Sequence, residues 1–352
     1  MIVPKYNRLR IYYNYGLMRL SGLLNPKRNT KKTVWDVVKP RVLIISHKDQ
    51  QCGIYQYGVN IARALHHSKK YDFIYYECDN KQELDEAVKI YRPSVIIYNY
   101  YIYTMSWLNS WITHSYPFPQ LGIMHEVFQK EADEATDALF DYHLCPDPTL
   151  IENNPLVFKT PRLIPEYINI KSSPEIPTIG SFGFGSEDKG FERIIECVQK
   201  EYDVAHIRIL MPFNDILDKE GKKFTLATAE RCKNLVTKPG ITLEISHDFL
   251  PPRGLLDFLA SNSINAFFYD INRYKGISST IEHALAVRIP IVINKCGMFR
   301  HVFNTKPSIC IEDLTIKEII TNGITPLLPF YYEWNRDKFI ERYEQIIDEV
   351  LK

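Results

Sequence analysis

Three loops of this sequence combine glycine with residue types that bind phosphate groups. Each loop follows an apolar stretch typical of a strand and precedes a stretch typical of a helix. Because the first backbone N–H groups of a helix have no partner inside it, such a loop presents donors to an anion. Loops of this kind in both halves of the chain predict a nucleotide diphosphate held between two α/β domains. The loops are 47–53 (HKDQQCG), 180–190 (GSFGFGSEDKG) and 276–282 (GISSTIE).

The glycines and the lysine of the first two loops have distinct predicted roles. Gly53 and Gly183 lack a Cβ atom and therefore let the backbone approach a bound ligand closely. Lys189 precedes a predicted helix and would neutralise a departing diphosphate. Neither loop matches G-x-G-x-x-G or the G-K-[ST] of a P-loop. The alternatives are an ordinary strand-to-helix turn at Gly53 and a solvated lysine at position 189.

The third loop adds hydroxyl groups and a carboxylate. Ser278, Ser279 and Thr280 would hold phosphate oxygens through their N–H and hydroxyl groups. Glu282, one turn into the predicted helix, would accept hydrogen bonds from sugar hydroxyls. The alternative is a capping box, because Ser279 and Glu282 have the S-x-x-E spacing.

One histidine occupies the position at which open α/β sheets bind ligands. His125 follows a strand predicted at 120–124, at the carboxyl edge of the sheet, and would contact a reacting sugar. The alternative is a capped strand end. Arg300 and His301 would either add charge near the phosphates or lie at the surface. His125 lacks the H-E-x-x-H context and Asp270 gives a poor D-x-D, so no metal site is predicted.

The elements around these residues alternate between strand and helix. This alternation predicts an α/β fold built from doubly wound parallel sheets. A proline-rich stretch, 146–177, interrupts it and marks a domain edge. The predicted segments are a basic arm (1–40), a first Rossmann-like domain (41–170), a second (171–330) and an amphipathic terminal helix (331–352).

Several shorter elements are also predicted. The sequence predicts a helix over 80–91 capped by Asn80, a Trp-rich helix near 104–113 and a strand at 161–164. The helix that carries Glu282 is predicted over 278–287.

Composition narrows the classes of protein. The length of 352 residues favours two domains. The seven cysteines form no C-x-x-C pair, which disfavours a zinc site or a disulfide framework and favours a reducing cytoplasm. No apolar run is long enough to span a bilayer, and the N-terminus lacks the apolar core of a signal peptide.

The formal net charge of +1 hides a basic arm. Residues 1–41 hold ten Lys/Arg against one acid, with leucines and a tyrosine at helical spacing. The stretch 1–32 therefore predicts contact with an anionic membrane surface, at the cytoplasmic face. The alternative is a helix packed on the body with a solvated basic tail. No base-reading motif accompanies the charge, so nucleic acid is not a predicted partner.

The order of these segments resembles that of the family 4 glycosyltransferases over most of residues 41–352. The loop at Gly53 resembles the first strand-to-helix loop of that family. His125 falls where the family often places a histidine near the transferred sugar. The segment 179–190 resembles its G-R-L…K-G segment, with Lys189 in the place of the phosphate-binding lysine.

Two later blocks extend the resemblance. The block 247–260 (HDFLP…LLDFLA) resembles the stretch before the family's E-x7-E motif. The run EHALA that begins at Glu282, followed by Pro290, resembles its E-A-M-A…P-V-V signature. The terminal helix resembles the one that crosses back to the first domain.

The resemblance implies a GT-B fold, in which two Rossmann-like domains face each other across a cleft. It implies an acceptor domain first, a nucleotide-sugar donor domain second and retention of anomeric configuration. We expect a metal-independent glycosyltransferase with no cofactor beyond its nucleotide-sugar donor. The acceptor would be a glycan or lipid-linked molecule of surface polysaccharide synthesis. Lys189 and residues 278–280 would bind the diphosphate, Glu282 the ribose and His125 the transferred sugar.

Two departures from the family pattern leave alternatives open. Ser181 stands where the family has arginine, and Tyr274 where it has the first glutamate of E-x7-E. Arg273 or Lys275 could supply the missing positive charge. The alternatives are a non-catalytic scaffold with the same fold and an epimerase of nucleotide sugars.

Overall fold

Parallel strands organise the protein into two sheets. The computed structural model describes residues 39–168, 172–213, 222–271 and 276–352. Within these ranges the strand order is β2-β1-β3-β4-β5-β6 in the first sheet and β11-β10-β7-β8-β9 in the second. Residues 39–352 form one unit, and residues 1–38 of the basic arm lie outside the described residues. The α/β architecture predicted from the alternation of elements is therefore confirmed.

The first sheet alternates with helices along the chain. It is built from β1 (Arg41–Ser46), α1 (Gly53–Leu65), β2 (Asp72–Glu77), α2 (Lys81–Tyr91), β3 (Val95–Tyr98), α3 (Ser110–Thr113), β4 (Gln120–Ile123), α4 (Gln129–Asp133), β5 (Tyr142–Cys145) and β6 (Val157–Lys159). Asn80 caps the helix that follows it, as predicted, by accepting a hydrogen bond from the N–H of Glu83 at 3.0 Å.

The second sheet follows the same plan. It is built from β7 (Thr178–Phe182), a 3₁₀ turn (Glu187–Lys189), α5 (Phe191–Glu201), β8 (Ala205–Leu210), α6 (Lys223–Leu235), β9 (Ile241–Ser246), α7 (Pro252–Ala260), β10 (Ile264–Phe267), α8 (Thr280–Ala286) and β11 (Ile291–Ile293). The chain ends with a 3₁₀ turn (Gly297–Val302), α9 (Ile316–Asn322), a 3₁₀ turn (Thr325–Leu327), α10 (Leu328–Glu333) and α11 (Arg336–Val350).

Side-chain alternation along β1 explains why helices cover both faces of the first sheet. Val42 and Ile44 face one core, and Leu43 and Ile45 face another. The terminal helix α11 packs in the first of these cores, with α1. The last helix of the chain therefore covers the first sheet. No described helix has the length and apolar content needed to span a bilayer.

Two local predictions are wrong. Within 104–113 only α3 is helical, because Met105, Leu108 and Ile112 are buried by a series of turns rather than by one helix. The last strand of the first sheet is β6, before Pro161, whose ring nitrogen cannot donate to a sheet. The helix predicted over 278–287 is present and spans Thr280–Ala286.

Candidate active site

The carboxyl ends of the two sheets carry the predicted loops. The strand order reverses between β1 and β3 in the first sheet and between β7 and β10 in the second. Such reversal points open a crevice in which α/β sheets bind ligands. The Gly53 loop follows β1, the Lys189 loop follows β7, and the segment that begins at Gly276 follows β10.

The two crevices meet at Gly276. This residue has φ +80°, and a Cβ atom there would lie 2.8 Å from the carbonyl oxygen of His125. Only glycine combines this backbone conformation with so close an approach. The structure therefore brings the end of β4 against the end of β10.

On the first side, a hydrogen-bonded set fixes the orientation of His125. Its Nε2 lies 2.9 Å from Oδ1 of Asn99. The amide nitrogen of Asn99 donates to the carbonyl oxygen of Ile54 at 2.7 Å and to Oγ of Ser46 at 3.0 Å. Because a carbonyl oxygen can only accept, this bond assigns the amide nitrogen of Asn99 and leaves its oxygen facing His125. Nε2 must then carry the proton, and Nδ1 keeps a lone pair.

The surroundings of His125 keep the imidazole neutral. Burial lowers the pKa of His125 to about 3, and the positive charge of Arg162 and the nearby His47 act in the same direction. The ring of Tyr57 packs edge-on against it at a centroid distance of 5.1 Å. His125 can therefore accept a hydrogen bond through Nδ1 at neutral pH but cannot serve there as a cationic acid.

Gly53 lies open at the start of α1. It is exposed, and no described atom outside its immediate neighbours lies within 4 Å of an ideal Cβ. Gly183, in the loop after β7, is half-buried, and its ideal Cβ lies 3.5 Å from Cδ of Lys189.

On the second side, Lys189 is held near α8 by an aromatic ring. Its ammonium lies 4.0 Å from the ring centroid of Tyr269, and the hydroxyl of Tyr269 lies 3.5 Å from Oγ of Ser278. Glu187, two residues earlier, pairs with Arg231 instead. Gly190 makes this turn possible, since it has φ +63° and an ideal Cβ would lie 1.9 Å from the oxygen of Phe268. The structure thus brings together two segments that lie far apart in the sequence.

The hydroxyl-rich segment before α8 has internal hydrogen bonds. Oγ of Ser278 lies 2.9 Å from Oγ1 of Thr280. The N–H of Ser278 donates to the oxygen of Met298 at 3.1 Å, and the N–H of Thr280 to Oγ of Ser278 at 3.5 Å. Ser279 is the N-cap residue, and its side chain makes no cap hydrogen bond. A phosphate would have to compete with these internal acceptors.

Glu282 is buried and paired with Arg162. The two carboxylate oxygens accept hydrogen bonds from Nε and Nη2 of Arg162 at 2.8 and 2.6 Å, and both side chains are 4% exposed. The capping box predicted as an alternative is therefore wrong. Burial raises the pKa of Glu282, but Arg162 and His301 more than offset it and lower that pKa to about 2. Through Arg162, Glu282 connects the second sheet to the segment that follows β6 of the first sheet. Ribose binding by Glu282 stays a prediction.

Arg300 is half-buried and His301 is buried, so the surface alternative is wrong for His301. Nε of Arg300 donates to Asp147 at 3.1 Å, and its Nη1 donates to the oxygen of Gly276 at 2.9 Å. His301 has a fully buried side chain 3.6 Å from Glu282. Two ion pairs, Arg162–Glu282 and Arg300–Asp147, therefore fasten the two sheets beside the crevice.

Sequence reasoning missed four residues of this site: Asn99, Asp147, Arg162 and Tyr269. Asn99 follows a strand directly, which is the same signal that identified His125. Arg162 carries no local signal, since its partner lies 120 residues away.

The second sheet also has cavities outside the crevice. Two cavities of about 220 and 410 Å³ lie beside β8 and α5, and no predicted site residue lines either one. Ser181 is buried in β7. Arg273, Tyr274 and Lys275 lie outside the described residues.

Comparisons with known proteins identify the fold. No family model matches this sequence, and no curated protein is significantly similar to it. Among solved structures, the chain is similar to HepE of Anabaena in complex with UDP and glucose, with a TM-score of 0.62 and 9% identity over 87% of this chain and 99% of HepE.

Two further structures are similar over comparable lengths. The lipopolysaccharide outer core galactosyltransferase WaaB has a TM-score of 0.57 and 10% identity over 88% of this chain and 99% of its own. A trehalose-6-phosphate synthase, described in a study of glycosyltransfer with retention, has a TM-score of 0.57 and 8% identity over 88% of this chain and 98% of its own. The chain therefore has the GT-B fold that was expected.

Proposed function

We propose that this protein is a glycosyltransferase that moves a sugar from a nucleotide diphosphate donor to an acceptor. The fold supports this reading, because structures similar to it include a galactosyltransferase and a protein bound to UDP and glucose. Fold alone does not specify chemistry, so the proposal depends on the residues at the crevice.

The convergence of Lys189 with the start of α8 is the observation that carries the proposal. Tyr269 holds the ammonium of Lys189 on the same side as Ser278, at the point where the two sheets meet. A diphosphate placed there would gain a lysine and the N–H and hydroxyl groups of residues 278–280. These groups would stabilise the negative charge that develops on the departing nucleotide diphosphate.

The remaining roles divide between the two sheets. Gly53 and Gly183 would admit the donor and the acceptor close to the backbone. His125, held by Asn99 with its Nδ1 lone pair available, would accept a hydrogen bond from a hydroxyl of the transferred sugar. Because each carboxylate oxygen can accept a second hydrogen bond, Glu282 would bind the ribose while it stays paired with Arg162.

The finer parts of the proposal rest on the resemblance and the charge pattern. We propose transfer without a metal ion and with retention of anomeric configuration. The acceptor would be a glycan or a lipid-linked molecule of surface polysaccharide synthesis. The basic arm, 1–32, would bring the protein to an anionic cytoplasmic membrane surface.

A non-catalytic scaffold is the second candidate. The internal pairing of Glu282 with Arg162 and of the Ser278 N–H with Met298 favours it, because both groups already have partners. A scaffold would bind no donor and hydrolyse none.

Thermal unfolding with a panel of nucleotide diphosphates and their sugars separates these candidates. A ligand that binds only the native state raises the unfolding midpoint. We expect stabilisation by at least one nucleotide sugar, together with slow release of nucleotide diphosphate from it. Neither stabilisation nor release with any member of the panel would favour the scaffold.

A further inference from the structure

The loop between β3 and β4 exposes three large apolar side chains. Ile102 is 59% exposed, Tyr103 78% and Trp111 88%. In the same segment, Met105, Leu108 and Ile112 are buried in a core of the first sheet. We call Ile102, Tyr103 and Trp111 the aromatic face. Ile102 and Tyr103 lie on a turn in which the N–H groups of residues 104 and 105 both donate to the oxygen of Tyr101, and Trp111 lies in α3.

The sequence around this face contains no charge. No Asp, Glu, Lys or Arg occurs between Arg92 and Glu126, although charged residues make up 24% of the chain. Surface loops of proteins that stay in water normally carry charged side chains. An exposed stretch that combines large apolar residues with a complete lack of charge indicates an apolar partner.

The loop is continuous with the candidate active site. It begins at Asn99, whose side chain accepts the hydrogen bond of His125. Burial raises the pKa of Tyr101, and the nearby carboxylate of Glu126 acts in the same direction. Tyr101 follows Asn99 by two residues, and its ring centroid lies 5.3 Å from that of Tyr103. The loop runs from the crevice out to the aromatic face.

We propose that the aromatic face docks on the interfacial layer of a lipid bilayer. Trp and Tyr have an apolar ring with a polar edge and favour the boundary between headgroups and acyl chains, where Ile adds apolar area. A carbohydrate would also stack on the aromatic rings, but it would gain little from Ile102 and would favour charged and amide neighbours. This docking does not depend on sugar transfer.

Docking through this face differs from attraction through the basic arm. The arm binds by charge, so its contribution falls when salt screens it. The aromatic face binds by burying apolar area and needs no anionic lipid. The two contributions therefore separate on uncharged vesicles at high salt.

Cosedimentation of the full chain with pure phosphatidylcholine vesicles, at an ionic strength of about 0.5 M, tests the proposal. The test variant is the triple change Ile102→Ser, Tyr103→Ser and Trp111→Ser. The matched control is Ile176→Ser with Tyr332→Ser, because these residues are 51% and 70% exposed elsewhere on the protein. We expect the triple variant to partition at least about tenfold less than the wild type, and the control to match the wild type.

Tryptophan fluorescence provides a second measurement, in which the single conservative change Trp111→Phe replaces the triple variant. We expect brominated phosphatidylcholine to quench the wild-type emission, and Trp111→Phe to lose most of that quenching. Equal binding of the triple variant and the wild type would overturn the proposal. The proposal would also be overturned if the wild type does not bind these vesicles and a soluble oligosaccharide such as maltoheptaose changes its Trp111 emission. That result would assign the face to glycans.

Discussion

The two sheet edges that meet at Gly276 present different chemistry. The first edge offers neutral hydrogen-bonding groups, with His125 uncharged and oriented by Asn99. The second edge offers a cation, Lys189, beside the hydroxyl groups of residues 278–280. One edge therefore suits recognition of sugar hydroxyls, and the other suits stabilisation of phosphate charge. The ion pairs Arg162–Glu282 and Arg300–Asp147 join the two edges.

The largest effect on stability is expected at the ion pair between Arg162 and Glu282, which joins the two edges. We expect Arg162→Met to lower the free energy of unfolding by about 3–5 kcal/mol, because it leaves the Glu282 charge buried without a partner. The change is measured by urea denaturation. The double variant Arg162→Met with Glu282→Leu should recover most of the lost free energy of unfolding. If the single variant loses under about 1 kcal/mol, the pair does not hold the edges together.

The cationic edge should give the next largest effect. We expect Lys189→Met to lower kcat for donor hydrolysis by about 10²-fold or more, since it removes positive charge from the departing diphosphate. The control is Lys233→Met, which removes an exposed lysine of α6. Unchanged hydrolysis in Lys189→Met would remove the lysine from the proposed site.

The neutral edge can be changed into a charged one by Asn99→Asp. In the wild type the pKa of His125, about 3, keeps the ring neutral from pH 5 to 8, so kcat/KM should not follow its protonation there. A carboxylate at position 99 favours the imidazolium, which raises this pKa and blocks the Nδ1 lone pair. We expect kcat/KM of the variant to fall about tenfold from pH 8 to pH 6.

Asn99→Ala is the companion variant, because a carboxylate at position 99 would also face the oxygen of Ile54. Asn99→Ala should lower the rate and keep a flat pH profile.

The pH dependence of folding stability can be predicted separately from catalysis. Since the folded pKa of His125 lies below the unfolded value of about 6.5, the unfolded state takes up the proton first and stability falls as pH drops below 6.5. Identical pH profiles for Asn99→Asp and Asn99→Ala would mean that the tautomer of His125 has no role.

Gly53 should give the smallest effect on stability. An ideal Cβ there meets no described atom within 4 Å, so Gly53→Ala should change the free energy of unfolding by under about 0.5 kcal/mol. If a substrate approaches this backbone, KM should nevertheless rise several-fold. Steady-state kinetics with normal KM would place the substrate away from Gly53.

The fold followed from the sequence more completely than the site did. A run such as RVLIIS must be buried on both faces, and its alternation with amphipathic helices leaves few architectures. His125 was found because a strand end is a local signal. Asn99 carries the same signal, but an uncharged amide does not suggest chemistry until its partners are known.

The pairing across the crevice could not be predicted. Arg162 and Glu282 are 120 residues apart, and each looks alone like a solvated charge or a helix cap. Their burial depends on how the two sheets pack, which no local pattern records. The same holds for the ion pair between Arg300 and Asp147, whose partners are 153 residues apart.

The claim that Lys189 and residues 278–280 bind a diphosphate is tested most directly by isothermal titration. The donor's nucleoside diphosphate is compared with the matching monophosphate on the wild type and on Lys189→Met. We predict at least about tenfold tighter binding of the diphosphate by the wild type, with most of that difference lost in the variant. Equal affinity of the wild type for the two nucleotides would contradict the account.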